Sequence, residues 1–317
     1  MKEFEPVGLI ALSLCSKNSY AFVRNCSKIE EDLKIRDHYH GCDVCLSENV
    51  LIRVISKTDG YVDAPYFKAC TSSQFLFDTC RLFFTFWKDV AQGCREATNY
   101  ICDLFKIPVA AVVIEHREAE MWMLDFARKR QKQKLKTVLT FFSSNISAES
   151  YSSILSCNAT ETLLCFSCPP QDYRLDGKLP TVKDLTITDG FWITREHLLG
   201  LESQNLRLHR SNLKGPDVNA VLRCWLSGGL PKLKYLNLRM HVDDTIFDGL
   251  HTRLEKVQGE TIYTWKVLRK MGKMESTGVL FDSNAFHIRR DDGVVATVEI
   301  GECFLMVVWP DLNGKCV

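Results

Sequence analysis

The sequence has almost no excess of charge of either sign. Its 317 residues carry 40 Lys and Arg against 39 Asp and Glu, for a net charge of +1. Without a basic field over the whole chain, no attraction to nucleic acid or to an acidic membrane surface is expected. The hydrophobic share of 46% and the charged share of 25% are ordinary for folded proteins, which excludes a largely disordered chain.

Long apolar runs and targeting signals are also missing. No run approaches the roughly 18–20 apolar residues that a membrane span needs. Residues 7–15 have the length of a signal-peptide core, but Glu3 and Glu5 precede them and no small-residue cleavage site follows before Lys17. Cys316 is second from the end, which excludes a prenylation box. We therefore expect a cytoplasmic or nuclear protein that has no membrane partner.

The familiar catalytic signatures are absent as well. The chain contains no G-x-S-x-G elbow, no phosphate-binding loop, no G-x-G-x-x-G and no H-E-x-x-H. The sequence therefore predicts a protein that is not an enzyme and that uses no cofactor. A zinc-dependent or thiol enzyme is the alternative, because cysteines and histidines are plentiful.

What the composition does contain is an unusual number of cysteines, fourteen in all. They are scattered, and most lie in apolar runs such as residues 163–168, where a free cysteine behaves as a small buried hydrophobe. This distribution predicts reduced thiols in the core of a cytosolic or nuclear protein. A secreted, disulfide-bonded protein is the alternative.

One short segment has the spacing of a zinc site. His38, His40, Cys42 and Cys45 place four possible ligands within eight residues, and C-x-x-C in a tight turn lets two thiolates face one ion. However, the second C-x-x-C pair, which begins at Cys165, is far away in the chain and has no finger or ribbon register. We therefore favour the interpretation that Cys42 and Cys45 begin a strand and that no metal is bound.

A basic run at residues 128–136 contains six cations in nine residues. Such a run is typical of a nuclear address or an anion-binding patch. The favoured interpretation is a solvated helix C-terminus, where the helix dipole stabilises cations.

From residue 109 onward, short strands alternate with short helices. The leucine-rich-repeat strand pattern L-x-x-L-x-L is matched by Val182-x-x-Leu185-x-Ile187, Leu206-x-Leu208 and Leu233-x-x-Leu236-x-Leu238. The predicted strand centres are Leu139, Leu164, Leu185, Leu206 and Leu236. Because one strand–helix unit cannot bury its apolar face alone, the units are expected to stack. The predicted fold class is α/β, as a degenerate leucine-rich-repeat-like strand–helix solenoid. A doubly wound α/β sheet competes with it but needs longer helices.

The two ends of the chain differ from this middle region. Residues 1–28 predict two short helices, whereas residues 286–300 predict a hairpin around Asp291-Asp292-Gly293, with a third strand at 304–309. This antiparallel β meander is expected to cap the solenoid, because an open last repeat exposes apolar surface. The predicted domains are 1–28, a poorly defined α+β region at 29–108, the repeat region at 109–265 and the meander at 266–317.

Four polar residues of the repeat strands are candidates for a partner-binding surface. Arg207, His209, Arg239 and His241 alternate with leucines, so they are expected to point away from the core. Solenoid proteins present such surfaces to partner proteins, although plain solvent exposure explains the pattern equally well.

The contexts of Trp192 and Trp225 carry a resemblance to a known family. The relevant stretches are residues 185–194, 197–199, 206–208, 217–219, 225–229 and 233–236. Residues 182–250 thereby resemble the F-box-associated domain, type 2, of nematode F-box proteins. Residues 288–293, 296–298 and 304–309 are similar to the C-terminal region of the same family.

The N-terminal residues are similar to the second half of an F-box, so that Met1 starts inside the motif. The resemblance implies a substrate-recognition subunit of a cullin–RING ubiquitin ligase, in contact with the ligase adaptor and the cullin scaffold. The partial F-box would bind the adaptor, and the repeats would bind a target protein. The implied adaptor-binding residues are Phe4, Leu9, Ile10, Leu12 and Cys15. The alternative is a repeat-type protein-binding module that makes no ligase contact because its F-box is incomplete.

Overall fold

The structure, a computed structural model, describes most of the chain and divides it into two compact units, Met1–Phe142 and Ser143–Val317. Both units contain helices and strands, which confirms the predicted α/β class at this level. Among the described residues, no helix is long and apolar enough to span a membrane. The described ranges are 6–38, 41–46, 50–56, 67–71, 81–116, 118–142, 145–240, 244–257, 261–268, 274–281 and 284–309.

The first unit contains four helices and seven strands in its described part. The helices are α1 (Pro6–Ser13), α2 (Lys17–Cys26), α3 (Val90–Phe105) and α4 (Trp122–Arg130). The strands are β1 (Leu33–His38), β2 (Gly41–Leu46), β3 (Val50–Ser56), β4 (Phe67–Thr71), β5 (Arg81–Trp87), β6 (Val109–Ile114) and β7 (Thr137–Thr140). They form a mixed sheet in the order β4-β5-β3-β2-β1-β6-β7.

Helix α3 is the long amphipathic helix of this unit. It begins after Asp89, whose carboxylate accepts a hydrogen bond from the Gln92 amide at 3.0 Å, and ends at Lys106 in the left-handed conformation. Its buried positions, such as Cys94, Thr98 and Ile101, recur at helical spacing and lie on one face. This face packs against β2, β3 and β5.

Helices α1 and α2 lie where the sequence predicts two short helices, and α2 packs on α3. The hydroxyl groups of Ser13 and Tyr100 are 2.6 Å apart, and the rings of Tyr20 and Tyr100 have centroids 5.5 Å apart. Because helices this short are marginal alone, the contacts with α3 stabilise them.

The second unit contains three helices and ten strands in its described part. The helices are α5 (Ala148–Leu155), α6 (Arg195–Leu199) and α7 (Gly215–Leu226). The strands are β8 (Thr162–Cys165), β9 (Asp184–Ile187), β10 (Asn205–Leu208), β11 (Tyr235–Leu238), β12 (Leu254–Lys256), β13 (Thr261–Leu268), β14 (Met274–Phe281), β15 (Ala285–Arg289), β16 (Val295–Ile300) and β17 (Phe304–Val308).

Strands β8 to β11 pair in parallel, and the order then continues β17-β16-β15-β12 through antiparallel pairs. Strands β13 and β14 form a separate hairpin. Two rows of apolar side chains cross the parallel strands on one face, and all of them are almost fully buried: Leu163-Leu185-Leu206-Leu236 and Cys165-Ile187-Leu208-Leu238. The repeat leucines thus occupy equivalent positions in neighbouring strands.

All five predicted strand centres lie on observed strands, although β7 with Leu139 belongs to the first unit. The division between the two units falls between residues 142 and 143, inside residues 109–265, which the sequence predicts as the repeat region. The predicted domain boundaries at 28, 108 and 265 stay predictions.

Candidate functional site

The candidate site is the face of the second unit's sheet opposite the leucine rows, which we call the strand face. Because strand side chains alternate, the residues between the leucines share this face. One row contains Thr186, Arg207 and Asn237, which are direct register partners. The next row contains Thr188, His209 and Arg239, each of which lies one residue beyond the end of its strand. Their backbone amides donate hydrogen bonds of 2.8–3.1 Å to the neighbouring strand and so extend the parallel pairing.

Arg207 lies at the centre of the strand face and is only partly exposed. Its guanidinium carbon is 5.0 Å from the centroid of the Tyr235 ring, which is cation–π geometry. The Tyr235 ring is buried, and its hydroxyl accepts a hydrogen bond from Asn237 Nδ2 at 3.1 Å. The aromatic ring therefore holds the Arg207 side chain in a defined place.

Two buried oxygens on either side of Arg207 have no hydrogen-bond partner among the residues that the structure describes. They are Thr186 Oγ1 and Asn237 Oδ1. An unsatisfied buried polar group costs about 1–3 kcal/mol, so such groups are uncommon in native proteins and call for an explanation. Departures from full satisfaction are expected where function competes with stability, which makes this row of the strand face a candidate site.

Positive charge surrounds His209. Partial burial, and after it the nearby cations Arg239, Arg207 and Arg210, hold the pKa of His209 below its ordinary value of 6.5. The imidazole is therefore neutral at neutral pH, and the charge of the site comes from the arginines. Arg210 donates to Asp189 at 3.0 Å, whereas no hydrogen bond to the Arg239 guanidinium is found within the described ranges.

The lowered pKa of His209 predicts a loss of stability in mild acid. Below about pH 6.5 the unfolded chain takes up a proton that the folded state resists, so stability falls until the folded pKa is reached. His287, whose pKa is lowered mainly by burial, adds to the same loss. We expect the His209→Gln variant to lose less unfolding free energy than the unsubstituted chain when the pH falls from about 7.5 to about 5.5. Most carboxylates titrate below this pH range, so they contribute little to the difference. Urea unfolding at both pH values measures this, and an unchanged decrease contradicts it.

The predicted adaptor-binding residues separate into two groups in the structure. Leu9 and Ile10 are buried in the first unit, whereas Leu12 is 37% exposed and Cys15 is exposed. Phe4 lies outside the described residues, as does His241 of the predicted partner-binding set.

Two exposed apolar residues of the same region were missed by the sequence analysis. Leu14 is 44% exposed and Phe22 is 52% exposed. In the sequence, Leu14 is an apolar residue directly after α1, and Phe22 is an apolar residue on the exposed side of α2. Exposed large apolar side chains of this kind mark surfaces that partners cover when they are contiguous.

The predicted zinc ligands do not converge in the described part of the chain. Cys42 and Cys45 are three residues apart on β2, so their thiols lie on opposite faces of the sheet and cannot chelate one ion. A hydrogen bond with Cys94 and burial raise the pKa of the Cys42 thiol, and burial raises that of Cys45 to about 12. The His38 side chain and His40 are outside the description. Where the structure is described, no group of three potential metal ligands is found.

The two tryptophans that carry the family resemblance are structural. Trp225 is 1% exposed and Trp192 is nearly as buried. Trp192 lies edge-on to Tyr151, Tyr173 and His197, and its indole N–H donates to the Tyr151 hydroxyl at 3.3 Å. These residues stabilise the fold rather than face a partner.

The buried His197 has a similar structural role. Its Nδ1 accepts from the Thr194 amide at 3.0 Å, while Nε2 is 3.2 Å from the Leu175 carbonyl. These partners assign the proton to Nε2 of a neutral imidazole, which caps the first turn of α6.

Comparison with known proteins identifies the segment that contains most of the strand face. Residues 179–238 match the model of the F-box-associated family. The match begins just before β9 and ends with β11, so it includes α6, α7, Arg207 and His209. This confirms the predicted F-box-associated domain. No curated protein and no solved structure matches the chain.

Proposed function

We propose that this chain is the substrate-recognition subunit of a cullin–RING ubiquitin ligase and that its strand face binds the target protein. The observation that carries the proposal is that the F-box-associated match covers β9, β10 and β11, which carry the strand face, together with α6 and α7. The proposal includes action in the cytoplasm or nucleus, with no catalytic step and no cofactor in this chain.

The parallel strands support a degenerate leucine-rich-repeat-like solenoid as the scaffold for target binding. Strands β9, β10 and β11 repeat the same register, and α6 and α7 lie in the two crossovers. Strand β17 pairs with β11 in antiparallel orientation, so it occupies the edge that a further repeat would take. In this proposal the C-terminal meander is the cap that repeat arrays need.

The charge of the strand face suggests the chemistry of the target. Arg207 and Arg239 supply positive charge next to a histidine that is neutral at neutral pH. Arginine is enriched in the central contacts of protein interfaces, because its planar group forms paired hydrogen bonds and packs on apolar surface. We therefore propose that the target presents carboxylates to this face.

The exposed apolar residues of the N-terminal helices suggest where the adaptor binds. Leu9 and Ile10 lie on the buried side of α1, which packs against α2, and α2 in turn packs on α3. Leu12 on α1, Leu14 directly after α1 and Phe22 on α2 are left exposed. An adaptor that covers these side chains removes them from water, at about 25 cal/mol for each Å² of apolar surface.

Acidic substitutions in the N-terminal helices test the adaptor contact. We expect Leu14→Asp with Phe22→Asp to weaken binding to the purified ligase adaptor by at least about tenfold, because an interface buries the new charges. Isothermal titration calorimetry with the full chain measures this. Asn25→Asp is the matched control, since it adds one charge at an exposed position of α2. Failure of the unsubstituted chain to bind the adaptor contradicts the proposal.

The burial of Leu9 and Ile10 favours a second candidate function. In the described structure these residues stabilise the first unit, so fewer of the implied docking residues are available to an adaptor. The second candidate is a protein-binding module that makes no ligase contact. It predicts that the strand face captures its target while the purified adaptor does not bind.

A further inference from the structure

A pocket of about 470 Å³ opens between α3 and α4 in the first unit, on elements that contain neither the strand face nor the exposed residues of α1 and α2. Its volume is within the range of about 300–1,000 Å³ that small-ligand sites occupy. The lining residues combine aromatic rings with three cations and are Arg95, Asn99, Trp122, Asp125, Phe126, Lys129 and Arg130.

Arg95 is the most notable side chain of this pocket. Its guanidinium carbon is 4.5 Å from the centroid of the Trp122 ring, and no hydrogen bond or ion pair to it is found in the described part of the chain. The indole N–H of Trp122 donates to Glu120 at 2.8 Å, which holds the ring. The ring therefore holds the guanidinium in place, and the N–H groups of Arg95 are available for an oxyanion.

Of the other two cations, Arg130 has hydrogen-bond partners and Lys129 does not in the described part of the chain. Arg130 donates to Asn99 and to Asp103, both at 2.8 Å, so this arginine connects α4 to α3. Lys129 is exposed and has no ion-pair partner within the described ranges. Arg95 on α3 and Lys129 on α4 are thus two cations at one pocket that no described carboxylate neutralises directly.

We propose that this pocket binds an acidic segment of a partner protein, with a carboxylate on Arg95 and Lys129 and an adjacent apolar side chain on Phe126 and Trp122. The two rings are tilted, with centroids 6.3 Å apart, and offer apolar surface beside the charges. Asp125, which also lines the pocket, is an acceptor for backbone N–H groups of the bound segment.

Single-stranded nucleic acid also uses cations and aromatic rings, but two features favour a peptide. The net charge of +1 supplies no general attraction to phosphates. Asp125 repels a phosphodiester and a carboxylate alike, but the backbone of a peptide also has N–H donors that can satisfy this acceptor. Nucleic acid is therefore an outcome that the experiment has to exclude.

The test compares two peptides that differ only in charge, N-acetyl-Glu-Phe-Glu-amide and N-acetyl-Gln-Phe-Gln-amide. Binding to the full chain is measured by saturation-transfer NMR at about 150 mM salt, where long-range attraction is screened. We expect the Glu peptide to bind at least about fivefold more tightly, because a paired Arg–carboxylate contact is lost with the Gln peptide. Arg95→Met is expected to remove this preference and to leave the weak binding of the Gln peptide unchanged.

Two further variants keep this test decisive. Lys129→Met changes an exposed side chain, so its effect is measurable even if Arg95→Met disturbs Trp122. Lys132→Met is the matched control, because it removes an exposed cation of the same basic run outside the pocket. Equal binding of both peptides, a preference that survives Arg95→Met and Lys129→Met, or tighter binding of oligouridine at the same salt overturns the proposal.

Discussion

Replacement of Trp225 by alanine is expected to destabilise the second unit by about 3–5 kcal/mol. The indole is 1% exposed on α7, in a helix whose other buried side chains include Val221 and Leu222. The Arg290 guanidinium lies 5.5 Å from the centroid of the Trp225 ring. The substitution removes the largest side chain of this packing and leaves a cavity that the surrounding backbone can fill only in part.

Urea unfolding followed by circular dichroism measures the loss at Trp225. Phe166→Ala is the control in the same unit, because Phe166 is 37% exposed and loses less buried surface. We expect the control to cost less than about 1 kcal/mol, as exposed positions generally do. A comparable loss for the two variants would contradict the packing of α7 described above.

Charge reversal on the strand face is expected to remove target binding. We expect Arg207→Glu with Arg239→Glu to reduce the amount of captured target at least about tenfold, because central arginines of interfaces often contribute 2 kcal/mol or more. The new carboxylates also repel the acidic surface that the proposal assigns to the target. Quantitative mass spectrometry after affinity capture of the full chain measures the change.

Arg195→Glu is the matched control for charge reversal, since Arg195 is exposed on α6 and does not belong to the strand face. Arg207 also packs on Tyr235, so the double variant has to be checked for folding. Arg239→Glu alone avoids this contact and is expected to weaken capture in the same direction. Equal capture by the strand-face variants and the Arg195 control contradicts the proposed target site.

The sequence predicts the second unit well because the alternation of apolar and polar residues along each strand shows which side chains are buried. Leu206 and Leu208 alternate with polar residues, and the structure buries both on one face of β10. The hairpin between β15 and β16 was likewise predictable, because Asp292-Gly293 is a turn signal. Gly293 adopts a φ of +90° in this turn. In both cases a few consecutive residues contain the whole signal.

The first unit was harder to predict because the order of its strands depends on pairs of strands that are far apart in the sequence. Strand β3 pairs with β5 in parallel and β1 pairs with β6, and no local pattern specifies such partners. Helix α3 was not predicted, because its buried face mixes small residues such as Cys94 and Thr98 with large apolar ones such as Leu104, which obscures the helical period. The burial of Ile10 follows from the packing of the N-terminal helices in this unit, so it was not visible in the motif itself.

The strand face was also predictable only in part. The alternation with leucines predicts that Arg207 and His209 leave the core, and the structure places both on the strand face. The stacking of Arg207 on Tyr235 depends on strand register, as do the unpartnered oxygens of Thr186 and Asn237. Sequence reasoning therefore found the charges of the candidate site but missed the residues that hold them.

The most direct test of the account captures three tagged versions of the full chain from cells that express it and quantifies their partners by mass spectrometry. The versions are the unsubstituted chain, the strand-face variant (Arg207→Glu with Arg239→Glu) and the N-terminal variant (Leu14→Asp with Phe22→Asp). The account predicts that the strand-face variant loses the target and keeps the ligase adaptor, whereas the N-terminal variant loses the adaptor and keeps the target. Capture of no adaptor by the unsubstituted chain, or parallel loss of both partners in either folded variant, would contradict it.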